Sequence, residues 1–147
     1  MNSDLMEVVA RRRGTFPLTV IGVIESRLVS TERAPRQGSD GAPDAWLVLD
    51  PGYALGLTGI ASGDNVLVVT WLHRARREVL RVYPRDGVTH TSVGVFATRS
   101  PHRPNPLGLH RVTVRRIAGT RIRIGPIEVI DGTPVVDVKA ALGHGDD

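Results

Sequence analysis

The stretch RVTVRRIAGTRIRI, residues 111 to 124, alternates apolar and polar side chains with the two-residue period of a β-strand. In each half, the valines or isoleucines point to one face and the arginines and threonine to the other. Between the halves, Ala118-Gly119-Thr120 has the composition of a tight hairpin turn. The stretch therefore predicts an antiparallel β-hairpin with one apolar face turned to a core.

Further short runs rich in β-branched residues lie on both sides of this hairpin. They are LTVIGVI (18–24), AWLVL (45–49), NVLVVTWL (65–72), EVLRVY (78–83), VGVFA (93–97), IEVI (127–130) and VVDVK (135–139). Helical periodicity is nearly absent, apart from possible single turns at 31–35 and 53–59. The pattern predicts an all-β fold, a small closed or partly open β-barrel of about eight to nine short strands with long loops.

The predicted strands fall within one domain, residues 15–142, and 147 residues suffice for one core. We expect residues 1–14 to form a flexible arm and residues 143–147 a frayed tail. The sequence has no apolar run of membrane-spanning length and no signal-peptide pattern, so a cytoplasmic protein is expected. It contains no cysteine, which excludes disulfides and thiolate chemistry.

Arginine dominates the charge of the chain. The net charge is +4, and 18 of the 19 basic residues are arginine. Seven arginines and no acidic residue lie between Asp86 and Glu128. Such a field attracts polyanions, most commonly nucleic acid. A solvated basic surface is the alternative, and charge alone does not decide between them.

A proline-rich cationic loop, residues 98–108, separates two predicted strands. Its three prolines fix the backbone and remove amide donors, so the loop loses little entropy on ordering. Arg99 and Arg103 offer planar forks of donors suited to carboxylate or phosphate. The loop is predicted to bind an anion. The alternatives are a rigid connector with solvated arginines and a PxxP ligand.

Three shorter segments carry polar groups whose role the local sequence leaves open. The segment APRQG (34–38) suits either an anion contact or a surface loop. His73 follows a very apolar strand, where it could contact a ligand, act as a base or simply lie half exposed. Asp131-Gly132 predicts a turn, and the next strand places Asp137 and Lys139 on one face with the valines on the other. Asp137 belongs either to a site or to an exposed ion pair.

Several other classes of site are disfavoured by the sequence. The histidines lack a metal-ligand spacing, so no metal is expected. No phosphate-binding glycine motif or nucleophile elbow is present, which argues against a dinucleotide-binding domain, an NTPase and an α/β-hydrolase.

Taken in order, these segments resemble the TsaA-like (TrmO) family of S-adenosylmethionine-dependent tRNA methyltransferases. The resemblance covers nearly the whole chain from residue 21. Its segments are IGVI (21–24), APRQ (34–37), WLH (71–73), GVFATRSPHRPNPLGL (94–109) and IDGTPVVDVK (130–139). The central motif is long and specific to the family.

The resemblance implies a β-barrel, usually dimeric, that binds S-adenosylmethionine and methylates threonylcarbamoyladenosine beside the tRNA anticodon. The positions that match the family's cofactor contacts are Pro35, Arg36, Gln37, His73, Arg74, Arg99, Leu109, Asp131, Gly132, Thr133, Pro134, Val135 and Val136. His73 and Asp137 are the candidate catalytic bases, and Arg103, Arg111, Arg115 and Arg116 the candidate RNA contacts. A homodimer with tRNA as partner is therefore expected.

The sequence departs from the family pattern in three places. His110 stands where a small serine is usual, and Ala140-Ala141 stand where Pro-Tyr is usual. Third, longer members continue into a further C-terminal domain, and the resemblance is to the short form without that domain. Two alternatives follow: a barrel that binds S-adenosylmethionine or RNA without methyl transfer, and a methyltransferase that acts on a small molecule.

Overall fold

The computed structural model describes residues 14–30, 38, 41–84 and 91–143. Six strands form a barrel, and their bounds are β1 Gly22–Glu25, β2 Ala45–Leu49, β3 Asn65–Trp71, β6 Leu107–Ala118, β7 Arg121–Gly125 and β8 Pro134–Ala140. They are antiparallel and close in the order β1-β2-β7-β6-β3-β8. A separate two-stranded sheet pairs β4 Arg81–Val82 with β5 Val93–Gly94. Two short 3-10 helices span Pro51–Leu57 and Val95–Ala97.

The barrel interior is aliphatic. Period-two alternation turns one side chain in two inward, and closure of the sheet leaves no open edge for water to reach. The buried members include Ile24, Ala45, Leu47, Val66, Val68, Val112, Val114, Ile122, Ile124 and Val135. The predicted hairpin is confirmed, because β6 pairs with β7 around the turn at Gly119.

Two bulges change which residues face outward. In β6 the register against β7 shifts between Val114 and Arg116, which leaves Arg115 as an extra residue and turns Arg116 outward. In β8 the register against β3 shifts beside Val136. Val135 is therefore fully buried, and Val138 also packs on the core. The predicted alternation of Val136 and Val138 with Asp137 and Lys139 is interrupted at Val136, because the bulge falls between Val135 and Asp137.

The sequence overestimated the number of barrel strands. Residues 127–130 form no strand, although Ile127 and Val129 insert their side chains into the core. The run at 93–97 is strand for two residues and then a 3-10 helix. The helical turn expected at 53–59 is confirmed by the 3-10 helix Pro51–Leu57, whereas residues 31–35 lie outside the described residues.

The two ends of the barrel differ in their connections. At one end, which we call the loop end, β1, β3 and β7 finish and β2, β6 and β8 begin. The segments 26–44, 72–106 and 126–133 all leave the barrel there. At the opposite, plugged end, Leu57 and Ile60 pack onto the core behind the 3-10 helix. The loop end therefore carries most of the chain that is free to form a site.

Candidate functional site

The loop end gathers most of the residues that the sequence singled out. His73 and Arg74 follow β3, Arg99 precedes β6, and the Asp131-Gly132 turn precedes β8. Pro35, Arg36 and Gln37 lie outside the described residues. The next residue, Gly38, lies against Pro126, since a Cβ on it would be 2.5 Å from the Pro126 carbonyl oxygen. Segments far apart in sequence thus meet at one end of the barrel.

The proline-rich loop is held rigid by one of its own arginines. Arg103 donates from Nε to the Ser100 carbonyl at 2.8 Å, and from Nη2 to the carbonyls of Val95 at 2.8 Å and Thr98 at 2.6 Å. Thr98 Oγ1 also donates to the Val95 carbonyl. These contacts direct the Arg103 guanidinium into the loop. Its expected role as an RNA contact has no support in this geometry, because three of its hydrogen bonds fix the backbone instead.

Arg99 has a different setting. One of its amino groups, Nη2, donates to the Leu109 carbonyl at 3.1 Å, and the side chain is otherwise exposed. This anchor holds the guanidinium at the backbone of Leu109, a residue that is 37% exposed. The remaining donors form a planar fork that suits a carboxylate. A cationic fork next to an apolar residue fits a ligand with both an anionic and an apolar part.

The segment after β3 docks on the proline-rich loop. The Leu72 amide donates to the Pro106 carbonyl at 2.8 Å, and the Arg76 amide donates to His102 Nδ1 at 3.0 Å. Arg77 Nε donates to the Pro104 carbonyl at 2.8 Å. Between these anchors, His73 and Arg74 form an exposed turn. The two loops therefore form one surface, with the imidazole of His73 accessible.

The turn at Asp131 is also tied to the barrel. Its carboxylate accepts a hydrogen bond from the Ser26 amide at 3.0 Å, and Gly132, at φ +82°, donates to the Ile24 carbonyl. The positive φ explains the glycine. Asp131 is exposed, whereas Thr133 is buried and donates from Oγ1 to the Ile130 carbonyl at 2.7 Å. Among the predicted contacts, Thr133 and Val135 face the core and could meet a cofactor only through their backbones.

Asp137 lies on the outer face of β8, in register with Val69, which in turn is in register with Leu109. Its carboxylate is 3.2 Å from Lys139 Nζ, and Asp137 Oδ1 accepts a hydrogen bond from the Val138 amide at 2.8 Å. The side chain is 48% exposed. The exposed ion pair with Lys139, one of the two alternatives for Asp137, is therefore formed. Asp137 and Leu109 sit two strand spacings apart, or about 10 Å, on one accessible surface.

A buried polar network at the loop end was not expected from the sequence. His110 Nε2 is 2.8 Å from Thr70 Oγ1, and His110 Nδ1 is 2.5 Å from Glu128 Oε1. Thr70 and His110 are buried. A glycine is needed at position 108, because a Cβ there would collide with both of these side chains. The alternation of β6 places His110 on the inner face with Val112, which is the signal that sequence reasoning missed.

The four arginines proposed for RNA do not share one surface. Arg111 lies on the outer face opposite Leu67, and its Nη1 is buried without a hydrogen-bond partner. Arg115 and Arg116 lie at the bulge of β6, near β7. Arg103 is used within its loop. The length of β6 causes this separation, because its first half pairs with β3 and its second half with β7.

The described residues contain neither a cluster of metal-ligand side chains nor a helix able to span a membrane. Within residues 14–30, 38, 41–84 and 91–143, no three histidine or acidic side chains are close enough to hold a metal ion. In the same part of the chain, no helix has the length and apolarity needed to cross a membrane.

Comparison with known proteins gives consistent matches. An S-adenosyl-L-methionine-binding protein of Archaeoglobus fulgidus is 38% identical over 122 residues, which are 83% of this chain and 86% of that protein. A probable S-adenosyl-L-methionine-binding protein of the same organism is 39% identical over 123 residues, but only 33% of its length is covered. The crystal structure of TrmO from Pseudomonas aeruginosa superimposes with a TM-score of 0.72 at 29% identity, covering 91% of this chain and 58% of that one.

The chain therefore spans only part of the longer proteins that it matches, and most of the shorter one. A family profile described as the tRNA-methyltransferase O N-terminal domain matches residues 23–147, from β1 to the end of the chain. The match includes every barrel strand and every segment of the loop end. This protein belongs to the tRNA-methyltransferase O N-terminal domain family.

Proposed function

We propose that this protein is an S-adenosylmethionine-dependent methyltransferase that acts on tRNA. Its specific acceptor would be threonylcarbamoyladenosine beside the anticodon, and the working form a cytoplasmic homodimer. The observation that carries the proposal is the convergence of Arg99, Leu109, His73 and the Asp131 turn on one end of the barrel. These positions match the family's cofactor contacts, and relatives of similar length are named for binding S-adenosyl-L-methionine.

The residues of the loop end fit that cofactor. The free donors of Arg99 would bind the methionine carboxylate, while Leu109 would contact the apolar part of the ligand. Asp131 has one carboxylate oxygen bonded to the Ser26 amide, and its second oxygen can accept from ribose hydroxyls. Arg36 and Gln37 would complete the set.

The chemistry that S-adenosylmethionine supplies is a methyl group made electrophilic by its bond to a sulfonium. The protein's share is to hold the acceptor nitrogen in line with that group and to keep it oriented, which accounts for much of the rate in such displacements. The acceptor is a urea-like nitrogen that must lose a proton as its bond to carbon forms. A carboxylate or imidazole near it would take that proton.

His73 and Asp137 are the two candidates for the base. His73 is exposed in a turn at the loop end, and Asp137 is half exposed but paired with Lys139. The Asp137 carboxylate is already engaged by Lys139 Nζ at 3.2 Å and by the Val138 amide at 2.8 Å. His73 is therefore the first choice for proton removal, with Asp137 as the second.

The test is calorimetric titration of the protein with S-adenosylmethionine, in parallel with Arg99→Ala. We expect saturable binding by the wild type and a loss of at least tenfold in affinity for the variant, because the carboxylate loses its charged partner. The matched control is Arg76→Ala, which removes an exposed arginine paired with Glu78 at the same end. Equal losses in both variants, or no binding by the wild type, would refute the assigned site.

Methyl transfer itself separates the proposal from its alternatives. With cofactor binding established, incubation with tRNA that carries threonylcarbamoyladenosine should give a mass increase of one methyl group on that nucleoside. Binding without transfer would favour a non-catalytic S-adenosylmethionine-binding barrel. Transfer to a small acceptor alone, unaffected by loss of the surface arginines, would favour a methyltransferase that acts on a small molecule.

A further inference from the structure

The outer face of the barrel opposite Asp137 carries a tryptophan among arginines. Four outward side chains lie in register across neighbouring strands, in the order Glu25, Trp46, Arg123 and Arg116. Arg121 lies two residues before Arg123 on β7. We refer to Trp46, Arg115, Arg116, Arg121 and Arg123 as the Trp46 face.

The indole of Trp46 lies under two guanidinium groups. Arg121 Cζ is 5.3 Å and Arg123 Cζ 5.6 Å from the ring centroid. The Arg121 side chain is 45% exposed, so these cation–π contacts are made at the surface, where they are weak. Stacking of a nucleobase on an aromatic ring is stronger than such an exposed contact. A base can therefore replace a guanidinium on the ring with a net gain.

Two arginines of this face lie so close together that their charges repel each other. Arg116 lies directly opposite Arg123 across the β6–β7 pair, and like charges in that position repel each other. Arg121 pairs with Glu25 at 2.7 Å, and Arg115 with Asp44 at 3.6 Å. Among the described residues, neither Arg116 nor Arg123 makes an ion pair. A bound polyanion would relieve the repulsion between these two.

An open depression adjoins Trp46 on the side of the loop end. It has a volume of about 620 Å³ and is lined by Trp46, Arg123, Glu25, Asp44 and Asp131, among others. Asp131 belongs to the segment assigned above to the cofactor. The Trp46 face and the segment assigned to the cofactor therefore border the same depression.

We propose that the Trp46 face binds single-stranded RNA, with one base stacked on Trp46 and adjacent phosphates on Arg116 and Arg123. Stacking requires an exposed base face, which a duplex does not offer along its length. The arginines supply the charge that follows a phosphate backbone. The proposal extends the function proposed above by naming where its RNA substrate lies, and it rests on that function only for the identity of the RNA.

The chain has only two tryptophans, which permits a selective optical test. Trp71 also has an arginine over its ring, with Arg77 Cζ at 5.1 Å from the centroid, but it lies on β3 next to the proline-rich loop. In Trp71→Phe, Trp46 is the only indole, and titration with a 12-nucleotide oligouridylate should quench its fluorescence, excited selectively over that of tyrosine. In Trp46→Phe, the remaining signal from Trp71 should stay unchanged over the same titration.

Affinities measured by anisotropy with the labelled oligonucleotide complete the test. We expect Trp46→Ala to lose about tenfold in affinity and Trp46→Phe to recover most of it, since phenylalanine retains a stacking ring. The double variant Arg116→Gln/Arg123→Gln should lower the slope of log affinity against log salt by about 1.4, two phosphates at 0.7 each for a single strand. A duplex of equal length should bind more weakly to the wild type.

Three results would overturn this inference. They are quenching of Trp71 instead of Trp46, undiminished affinity in Trp46→Ala, and tighter binding of the duplex than of the single strand. Binding of S-adenosylmethionine by the same variants keeps this outcome separate from the proposed function. Loss of RNA binding with normal cofactor binding in Trp46→Ala supports the surface, whereas a wild type that binds cofactor but no RNA rejects the surface alone.

Discussion

The two ends of the barrel are closed by different kinds of interaction. The plugged end is sealed by aliphatic contacts of Leu57 and Ile60, with Asp50 capping the first turn of the 3-10 helix by accepting from the Gly52 amide. The loop end is held by hydrogen bonds from arginine side chains to backbone carbonyls and by the buried network of His110. Aliphatic packing fills space without placing any polar or reactive group, whereas directional hydrogen bonds hold polar groups in a defined orientation.

This difference separates stability from function in space. Residues of the plugged end contribute burial, and their loss should affect folding alone. Residues of the loop end affect both folding and ligand binding. The His110 network fixes the start of β6, and the same backbone carries the Leu109 carbonyl that accepts the hydrogen bond from Arg99. Three variants, described in order of decreasing effect, test this contrast.

Glu128→Ala should produce the largest loss. It leaves the buried Nδ1 of His110 without its hydrogen-bond partner, and an unsatisfied buried polar group destabilises by about 2–3 kcal/mol. Urea unfolding followed by circular dichroism at pH 7 measures the loss in free energy of unfolding. Glu25→Ala is the matched control, since it breaks an ion pair with Arg121 at a side chain 50% exposed and should lose less than about 1 kcal/mol.

Cofactor titration of Glu128→Ala then sharpens the comparison. The folded fraction should bind S-adenosylmethionine more weakly, because the start of β6 is no longer fixed beside Arg99. Equal losses of stability in the two glutamate variants would mean that the network contributes nothing special to the loop end.

Ile60→Ala should have an intermediate effect confined to folding. Ile60 is partly buried and packs on the core at the plugged end, so its truncation should destabilise by about 1.5 kcal/mol, below the range for a fully buried side chain. Leu55→Ala, in the same segment but 90% exposed, should change stability by less than about 0.5 kcal/mol. Weaker cofactor binding by folded Ile60→Ala would contradict the separation of the two ends.

The smallest effect is expected for Arg76→Ala, which should change the pKa of Glu78. A hydrogen bond from its own backbone amide, followed by that from Arg76, lowers the pKa of its carboxyl below the usual value. A lowered folded-state pKa contributes stability above the unfolded pKa, and this is lost as the pH falls through the folded pKa. NMR titration should place Glu78 below an ordinary glutamate and move it upward in Arg76→Ala. An unchanged value in that variant would exclude the Arg76 contribution.

Local patterns were sufficient to predict the strands and turns that depend only on neighbouring residues. Alternation predicted the β6–β7 hairpin, and Asp131-Gly132 predicted its turn, because side-chain period and positive φ are local properties. The prediction that residues 127–130 form a strand is wrong, since apolar content does not distinguish a strand from an irregular segment that inserts side chains into the core.

The candidate site also has features that local sequence predicted and features that depend on tertiary contacts. Motif order in the sequence identified the segments that meet at the loop end. The different roles of Arg99 and Arg103, one exposed and one turned into its loop, follow from which carbonyls come within reach. The partnership of His110 with Thr70 and Glu128 joins three separate segments, and no local pattern reports it.

By itself, the sequence determined an all-β fold, an arginine-rich surface and a family with its ordered motifs. Alternation, charge and motif spacing are all properties of the order of residues in the chain. The tertiary structure alone decided that the strands close as a barrel of six, that bulges turn Arg116 outward and Val135 inward, and that Trp46 lies beneath two arginines. The physical reason is that register, closure and burial depend on contacts between residues distant in sequence, whose geometry exists only once the sheet has formed.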